Sequence, residues 1–254
     1  MLIILSPAKS LNYSQPLTPI KTTNAEFLGD SKKLVDVLKK LSIPDLEKLM
    51  AISPKLAQLN WQRFQDFSLP FNNQNSHPAL FLFAGDVYKS MAIANYNQKD
   101  LDFAQNHLRI LSGLYGILKP LDLIQPYRLE MSTHLKPILG KNLPQFWQKN
   151  IADFFNRELK NHQEKTIINL ASEEYFAAID ATKINGKIIN IIFKEQKGAS
   201  YKIIGLMAKK ARGLMADFVI KNKIKKAEDL QEFRAENYRF KPKFSNQTNW
   251  HFYR

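Results

Sequence analysis

The residues best suited to chemistry in this 254-residue sequence are hydroxyl-bearing and charged side chains in four segments, each following an apolar run. The segments are Ser6–Ser10, Ala84–Ser90, Leu111–Met131 and Ala171–Phe176. Such side chains together can hold an anion or exchange a proton with it. Because the carboxyl ends of buried strands meet at one edge of a sheet, we expect the four segments to line a shared polar pocket.

The candidate pocket residues all carry a polar group within these segments. They are Ser6, Lys9, Asp86, Tyr88, Ser112, Tyr115, Asp122, Tyr127, Arg128, Glu130, Ser172 and Glu174. Arg128 and Lys9 are the candidates for holding an anion. Asp86 or Glu130 is the candidate acid or base. The alternative interpretation is structural, with Arg128 pairing to Glu130 or Asp122 to brace a long loop.

Ser6 and Lys9 also have the Ser-x-x-Lys spacing, which can pair a serine nucleophile with a lysine base. No companion motif accompanies this spacing. The sequence contains no GxGxxG, GxxxxGK[ST], HExxH or GxSxG pattern, so no glycine-rich phosphate loop is indicated. Whether the protein is an enzyme therefore stays open.

Metal and cofactor chemistry is not favoured by the composition. The sequence has no cysteine, which excludes thiolate catalysis and cysteine-ligated metals, and its five histidines lack metal-ligand spacing. We therefore expect no cofactor and no metal site. A carboxylate site from Asp86, Asp122, Glu130 or Glu174 stays an open alternative.

Short apolar runs and amphipathic stretches predict the elements that position these residues. The predicted strands are Leu2–Leu5, Ala79–Phe83, Leu108–Leu111, Thr166–Leu170 and Lys187–Phe193. The predicted helices are Asp30–Leu41, Pro144–Leu159 and Ala199–Ile220, and residues 238–254 predict a closing hairpin. No run of eighteen apolar residues and no signal peptide is visible. We expect one mixed α/β domain over residues 1–254, with no membrane segment.

Positive charge is concentrated in the last third of the chain. The formal net charge is +14, and residues 183–254 carry 17 lysines and arginines against six acids. This balance favours a polyanionic partner such as nucleic acid. The candidate contacts to DNA here are Lys209, Lys210, Arg212, Lys221, Lys223, Lys225 and Lys226. The alternative interpretation is a set of solvated surface lysines.

Residues 42–67 predict two short helices joined by a tight turn. Ser42 and Ser53 are each placed to cap a helix, and Pro54 suits a first helical turn. This pattern resembles the helix–hairpin–helix motif, in which backbone amides contact a DNA phosphate without reading sequence. The motif usually has glycine where Ala51 and Ser53 stand. The candidate contacts are Lys48, Ile52, Ser53 and Lys55.

Five motifs carry a resemblance over essentially the whole chain. They are, in order, SPAKSL, AGDVYKSM, LSGLYGILKPLDLIQPYRLEM, INLASEEYF and KKARGLMADFVI. Together they resemble the YaaA peroxide-stress family, whose members are bacterial cytoplasmic proteins. The resemblance implies a single compact α/β body with a mixed sheet, surrounding helices, a basic cleft and a helix–hairpin–helix element at residues 42–67. It also implies DNA binding, and a role in limiting free iron under hydrogen peroxide stress.

Two functions follow as expectations. The first is sequence-tolerant binding of DNA through basic residues, in a cytoplasmic response to peroxide that limits iron-driven damage. The second is an enzyme acting on a small anionic or nucleotide-like substrate in the pocket of strand-end turns. In the second case the basic surface would be secondary, and the small anion would be the partner.

Overall fold

The structure is a computed structural model that describes residues 1–13, 20–198 and 200–254. Its strands are β1 (Leu2–Leu5), β2 (Thr23–Asn24), β3 (His77–Pro78), β4 (Leu108–Ser112), β5 (Gly116–Leu118), β6 (Asp122–Ile124), β7 (Thr166–Asn169), β8 (Lys187–Lys197), β9 (Ser200–Lys202), β10 (Arg239–Phe240) and β11 (Asn249–Tyr253). Its α-helices are α1 (Leu28–Leu38), α2 (Ile43–Met50), α3 (Pro54–Asp66), α4 (Ala79–Leu82), α5 (Asp86–Lys89), α6 (Gln98–His107), α7 (Lys136–Leu139), α8 (Leu143–Leu159), α9 (Glu173–Phe176) and α10 (Gly205–Lys221).

A mixed eight-stranded sheet forms the centre of the molecule. Its order is β10-β11-β8-β7-β1-β4-β5, and β9 pairs with the far end of β8. The five strands from β11 to β4 run parallel to their neighbours, whereas β5, β9 and β10 are antiparallel. Every residue of β1, β4 and β7 is buried, as expected for parallel strands covered on both faces. The fold class is therefore mixed α/β, as predicted.

The position of β1 fixes where a site can form. The chain goes from β1 to β4 on one side, and later places β7 on the other side of β1. Open parallel sheets bind ligands beyond the carboxyl ends of their strands where the chain changes direction in this way. The crevice between the ends of β1 and β7 is such a point.

Four of the five predicted strands are confirmed, and one prediction was wrong. The segment Ala79–Phe83 contains the one-turn helix α4 instead of a strand. The Phe83 N–H donates to the Ala79 carbonyl at 3.2 Å, and the Leu80 N–H donates to the Pro120 carbonyl at 2.9 Å. An apolar run of five residues has no period by which a buried strand can be told from a buried helical turn.

The three predicted helices correspond to α1, α8 and α10 with small shifts at their ends. Helix α10 starts later than predicted because residues 200–202 form β9 instead. Ala199, the predicted first residue, lies outside the described residues. The predicted closing hairpin is confirmed, since Phe240 of β10 pairs with Phe252 of β11.

Helices pack on the sheet around one contiguous hydrophobic core. Helix α6 contacts β1 and β4, α8 contacts β5, and α10 contacts both β8 and the short helix α5. A second sheet of three short strands, in the order β2-β6-β3, lies outside the main one. In the described ranges, no helix combines the length and apolar character needed to cross a membrane.

Candidate functional site

The four predicted polar segments meet beyond the carboxyl ends of β1 and β7, and we call this region the strand-end junction. Its first contact joins Ser6, which follows β1, to Ser172, which follows β7. The Ser172 N–H donates to the Ser6 Oγ at 2.9 Å, and the Ser6 hydroxyl donates to the Ser172 Oγ at 3.2 Å. The chain reversal at β1 therefore brings together residues 166 positions apart.

The second segment closes against the first through Tyr88. Its phenol donates to the Ser6 carbonyl at 2.8 Å. Close approach of the backbones requires glycine at position 85, since a Cβ there would lie 2.9 Å from the Cβ of Ala8. Burial raises the pKa of the Tyr88 phenol well above its ordinary value, so Tyr88 acts as a neutral donor.

Glu130 joins the first segment to the third. Its carboxylate lies 2.7 Å from the Lys9 Nζ and 2.9 Å from the Arg128 Nη2. The Arg128 and Glu130 side chains are each 19 % exposed, whereas Lys9 is 59 % exposed. Lys9 and Arg128 therefore outnumber the single carboxylate that they share, and such a pair of cations can bind a further anion beside it.

The third and fourth segments meet at Glu174. Its carboxylate accepts from the Ser132 N–H at 3.1 Å and from the Ser132 hydroxyl at 2.8 Å. Beneath these contacts, the hydroxyls of Ser112 and Tyr127 lie 2.6 Å apart, and the Tyr115 phenol donates to the Gln125 carbonyl at 3.2 Å. Burial raises the pKa of both phenols, so this layer is a neutral, buried support.

The two remaining carboxylate candidates, Asp122 and Asp86, have other partners. Asp122 is buried in β6 and accepts from the Thr23 hydroxyl at 2.6 Å and the Lys119 N–H at 2.7 Å. Burial raises the pKa of Asp122 to about 6, although both hydrogen bonds act against this change. Asp86, at the start of α5, contributes its backbone carbonyl, which accepts from Ser90 at 2.7 Å.

The Ser-x-x-Lys spacing does not form a nucleophile–base pair in this structure. Ser6 is bonded to Ser172, whereas the Lys9 ammonium is bonded to Glu130. A serine hydroxyl needs a base within hydrogen-bond reach before it can attack. In the described ranges, no group of three or more histidine and carboxylate side chains is arranged to hold a metal ion.

Helices α2 and α3 form a tight helical hairpin, which we call the α2–α3 hairpin. Ser42 caps α2 in a capping box with Asp45, and the Ser53 side chain caps α3. Ala51, between the helices, has φ 49° and ψ 52°, the left-handed conformation that favours glycine. Alanine therefore holds the turn for which the motif usually has glycine.

Of the four hairpin residues predicted to contact DNA, three are exposed and the isoleucine is buried. Lys48, Ser53 and Lys55 are exposed, whereas the Ile52 side chain is 8 % exposed. The Ile52 N–H already donates to the Glu47 carbonyl at 3.2 Å. Ile52 therefore shapes the turn, and neither its side chain nor its N–H is placed to contact a phosphate.

Helix α10 spans both edges of the sheet, so the predicted lysine flank is divided. Ala208 and Arg212 line a cavity with Ala171, which follows β7. Lys225, beyond the other end of the helix, lines a cleft of about 480 Å³ with Met1, which precedes β1. The early part of α10 therefore lies on the side of the strand-end junction, and the later lysines lie at the opposite edge.

The predicted basic residues of this flank differ in how their charge is used. Lys209, Lys210, Lys225 and Lys226 are exposed. The ammonium groups of Lys221 and Lys223 both bind the carboxylate of Asp100, the first at 2.8 Å. Arg212 is largely buried, and burial lowers its pKa. Sequence reasoning missed Asp100, since nothing in its local pattern shows that the α10 lysines reach it.

The chain is similar to known proteins over nearly its whole length. Residues 1–244 match the family described as peroxide stress protein YaaA. A UPF0246 protein of Acaryochloris marina is 50 % identical over 254 residues, which cover all of both chains. A UPF0246 protein of Saccharophagus degradans is 49 % identical over 246 residues, 97 % of this chain and 96 % of that protein. The chain therefore belongs to the peroxide stress protein YaaA family.

Proposed function

We propose that this protein binds duplex DNA without sequence preference in the cytoplasm, and so limits iron-driven damage during peroxide stress. The observation that carries the proposal is the α2–α3 hairpin, with its left-handed turn at Ala51 and its capped second helix. The family to which the chain belongs is named for peroxide stress, and this supports the setting of the proposal.

The hairpin has the chemistry needed to hold phosphates of the DNA backbone. Pro54, the first residue of α3, has no N–H, and the Leu56 N–H donates to the Ser53 hydroxyl. The Lys55 N–H is therefore the candidate backbone donor. It lies at the N-terminus of a helix, which attracts negative charge. Lys48 and Lys55 stand exposed on either side of the turn. Backbone amides and lysines contact the phosphate and not the base edges, so this mode of binding does not select a sequence.

Exposed lysines elsewhere would extend the contact along the duplex. Lys209 and Lys210 on α10, with Lys225 and Lys226 beyond it, are exposed and are the further candidates. Lys221 and Lys223 contribute less, because the Asp100 carboxylate binds both ammonium groups and offsets one of their two charges. Each lysine that neutralises a phosphate releases bound cations from the duplex. Ferrous iron held near DNA would be displaced in the same way, which links DNA binding to protection.

The experiment combines binding and survival. The double variant Lys48→Ala, Lys55→Ala should bind a fluorescent duplex roughly tenfold more weakly at moderate salt, since two phosphate contacts are lost. Cells that carry it as their sole copy should survive peroxide less well. The matched control, Lys149→Ala with Lys160→Ala, removes an exposed lysine of α8 and an exposed lysine directly after it, and should leave both duplex binding and survival unchanged. Unchanged affinity in the hairpin variant would overturn the proposal.

A second function is favoured by one specific observation, the excess positive charge where Lys9 and Arg128 surround Glu130. In this alternative the strand-end junction holds a small anionic or nucleotide-like substrate of an enzyme. The variant Arg128→Ala with Glu130→Gln separates the two functions. Loss of peroxide protection with unchanged duplex binding would support the pocket and count against DNA binding as the protective activity.

A further inference from the structure

A cavity of about 320 Å³ lies beside the strand-end junction, between the early part of α10 and the sheet. We call it the asparagine cavity, because Asn169 of β7, Asn190 of β8 and Asn249 of β11 line it together. These three residues are paired in register across the adjacent parallel strands. Their side chains therefore form a row across the sheet at one level.

The asparagine row presents hydrogen-bond donors that the protein does not use. The Asn169 Nδ2 donates to the Asn190 Oδ1 at 2.9 Å, and the Asn190 Nδ2 donates to the Asn249 Oδ1 at 3.1 Å. Each bond uses one of the two N–H groups of an amide. For Asn169 and Asn190, the second N–H makes no hydrogen bond to any described residue. Because Asn169 is 8 % exposed, little solvent is available to replace that partner.

Arg212 adds a positive charge to the same cavity. Its Nε is buried and has no hydrogen-bond partner in the part of the chain that the structure describes. A buried guanidinium N–H without an acceptor is costly, so its presence indicates that an acceptor is missing. Glu173 also lines the cavity and is the acid whose charge acts on Arg212, but Glu173 itself is exposed.

The remaining walls of the cavity are apolar. Ile191 and Phe193 of β8, Ala208 of α10 and Phe176 of α9 line it. Ile191 and Phe193 are 4 % and 3 % exposed, and they form part of the core cluster. Apolar walls with a few convergent polar groups are typical of small-molecule sites, and the cavity volume lies at the lower end of their range.

We infer that the asparagine cavity binds a small organic carboxylate, whose head accepts hydrogen bonds from Arg212, Asn169 and Asn190 and whose body packs on Phe176 and Ala208. One guanidinium with an acid nearby suits a singly charged head better than a doubly charged phosphate ester. The apolar walls offer nothing to a sugar–phosphate backbone. This site therefore goes beyond the proposed binding of DNA and does not depend on it.

The test is calorimetric titration of the full chain with hexanoate and with benzoate, and with hexanol and benzyl alcohol as neutral counterparts. We expect the acids to bind with dissociation constants of about 1 mM or tighter, and the alcohols to bind at least roughly tenfold more weakly. Arg212→Gln should weaken acid binding by about tenfold to a hundredfold, since charge-assisted hydrogen bonds are lost. Lys209→Ala, which removes an exposed charge from the same helix, should have no effect.

Asn190→Asp supplies a second variant, which keeps the side-chain volume but places a negative charge in the row. It should abolish acid binding while the protein stays folded, as judged by its unfolding temperature. Three results would overturn the inference: no binding of either acid at millimolar concentration, equal binding of acids and alcohols, or unchanged binding in Arg212→Gln. Loss of acid binding when a short duplex is added would also overturn it, by assigning Arg212 to the DNA surface.

Discussion

At the scale of single residues, the carboxylates of this protein differ in the groups that bind them. Glu130 and Glu174 lie at the surface of the strand-end junction, where their carboxylates bind several donors. Asp122 is buried with two hydrogen bonds and has a raised pKa. Asp100, which is also buried, binds two lysines, and these bonds outweigh its burial and lower its pKa to about 2. The pairing of a carboxylate with cations therefore decides its charge here, since burial is common to both.

Asp122 makes the free energy of unfolding depend on pH, and the sign of this dependence follows from its raised pKa. Its folded-state pKa of about 6 lies above the ordinary aspartate value of 3.8, so the folded protein binds more protons between these two pH values. The free energy of unfolding from this group therefore falls as pH rises from about 4 to 6, by up to about 3 kcal/mol. Asp122→Asn should remove this contribution, as measured by urea unfolding at pH 4, 5, 6 and 7.

The effect of Asp122 has to be measured as the difference between the wild type and Asp122→Asn, because His162 has the opposite effect on stability over the same pH range. Burial lowers its pKa to about 4, helped by the positive N-terminal amine, so its contribution to stability rises over the same pH range. The slope of the wild type alone therefore mixes two opposite effects. Identical pH dependence in the wild type and in Asp122→Asn would show that Asp122 is not held with a raised pKa.

At the scale of elements, some of this fold could be predicted and some could not. Strands β1, β4 and β7 are apolar runs bounded by polar residues, and α8 and α10 show a helical period, so local pattern was sufficient. The turn α4 was predicted wrongly because its run is too short to show a period. Lys221 was predicted as a contact to DNA from its basic cluster, but its partner Asp100 lies 121 positions away, and no local pattern encodes that distance.

Some parts of the candidate site could likewise be predicted from the sequence, and others could not. The polar segments could be found because each follows an apolar run, and the sheet rule placed them at one edge. The asparagine row could not be found, because it requires the register of β7, β8 and β11. Arg212 looked like its exposed neighbours in sequence, and only the packing of α10 on the sheet shows that it is buried.

The contact between α10 and α5 gives a prediction about packing. A Cβ at Gly213 would lie 2.0 Å from the Val87 carbonyl oxygen and 3.0 Å from the Ser90 Cβ. Gly213→Ala should therefore destabilise the protein by about 2 kcal/mol, although alanine is the better helix former. Gly205→Ala, at the open start of the same helix, is the matched control and should be neutral or slightly stabilising. Urea unfolding measures both, and equal effects would contradict the packing.

The left-handed turn of the α2–α3 hairpin gives a second prediction about stability. Ala51 adopts φ 49°, which costs about 1 kcal/mol for a residue with a Cβ. Ala51→Gly should therefore stabilise the protein by up to about that amount, in thermal or urea unfolding. Ala152→Gly, in the right-handed interior of α8, should instead destabilise it. Destabilisation by Ala51→Gly would mean that the hairpin turn has a different conformation.

At the scale of the whole molecule, positive charge is distributed on both edges of one sheet. The strand-end junction and Arg212 lie at the carboxyl edge, whereas Lys225 lies at the amino edge beside Met1. In the proposed binding of DNA, a duplex is long enough to contact more than one such region, so the total affinity would be the sum of several weak contacts. Which lysines contribute would then depend on how far acids of the protein already offset their charge.

Two pairs of variants measure how the contribution of a lysine to duplex affinity depends on nearby acids. Lys225→Ala with Lys226→Ala should weaken duplex binding more than Lys221→Ala with Lys223→Ala, because Asp100 binds both ammonium groups of the second pair and offsets one of their two charges. Fluorescence anisotropy at one fixed salt concentration compares them, with unfolding temperature as the check on folding. A larger loss from the Lys221 and Lys223 pair would show that Asp100 releases these lysines to the DNA.

The central claim, that the α2–α3 hairpin holds DNA phosphates, is tested most directly by the salt dependence of duplex affinity. The logarithm of the binding constant should fall linearly with the logarithm of salt concentration in the wild type. For Lys48→Ala with Lys55→Ala, the account predicts a slope shallower by about two, one unit for each phosphate contact removed. An identical slope in the two proteins, or binding that does not change with salt, would contradict it.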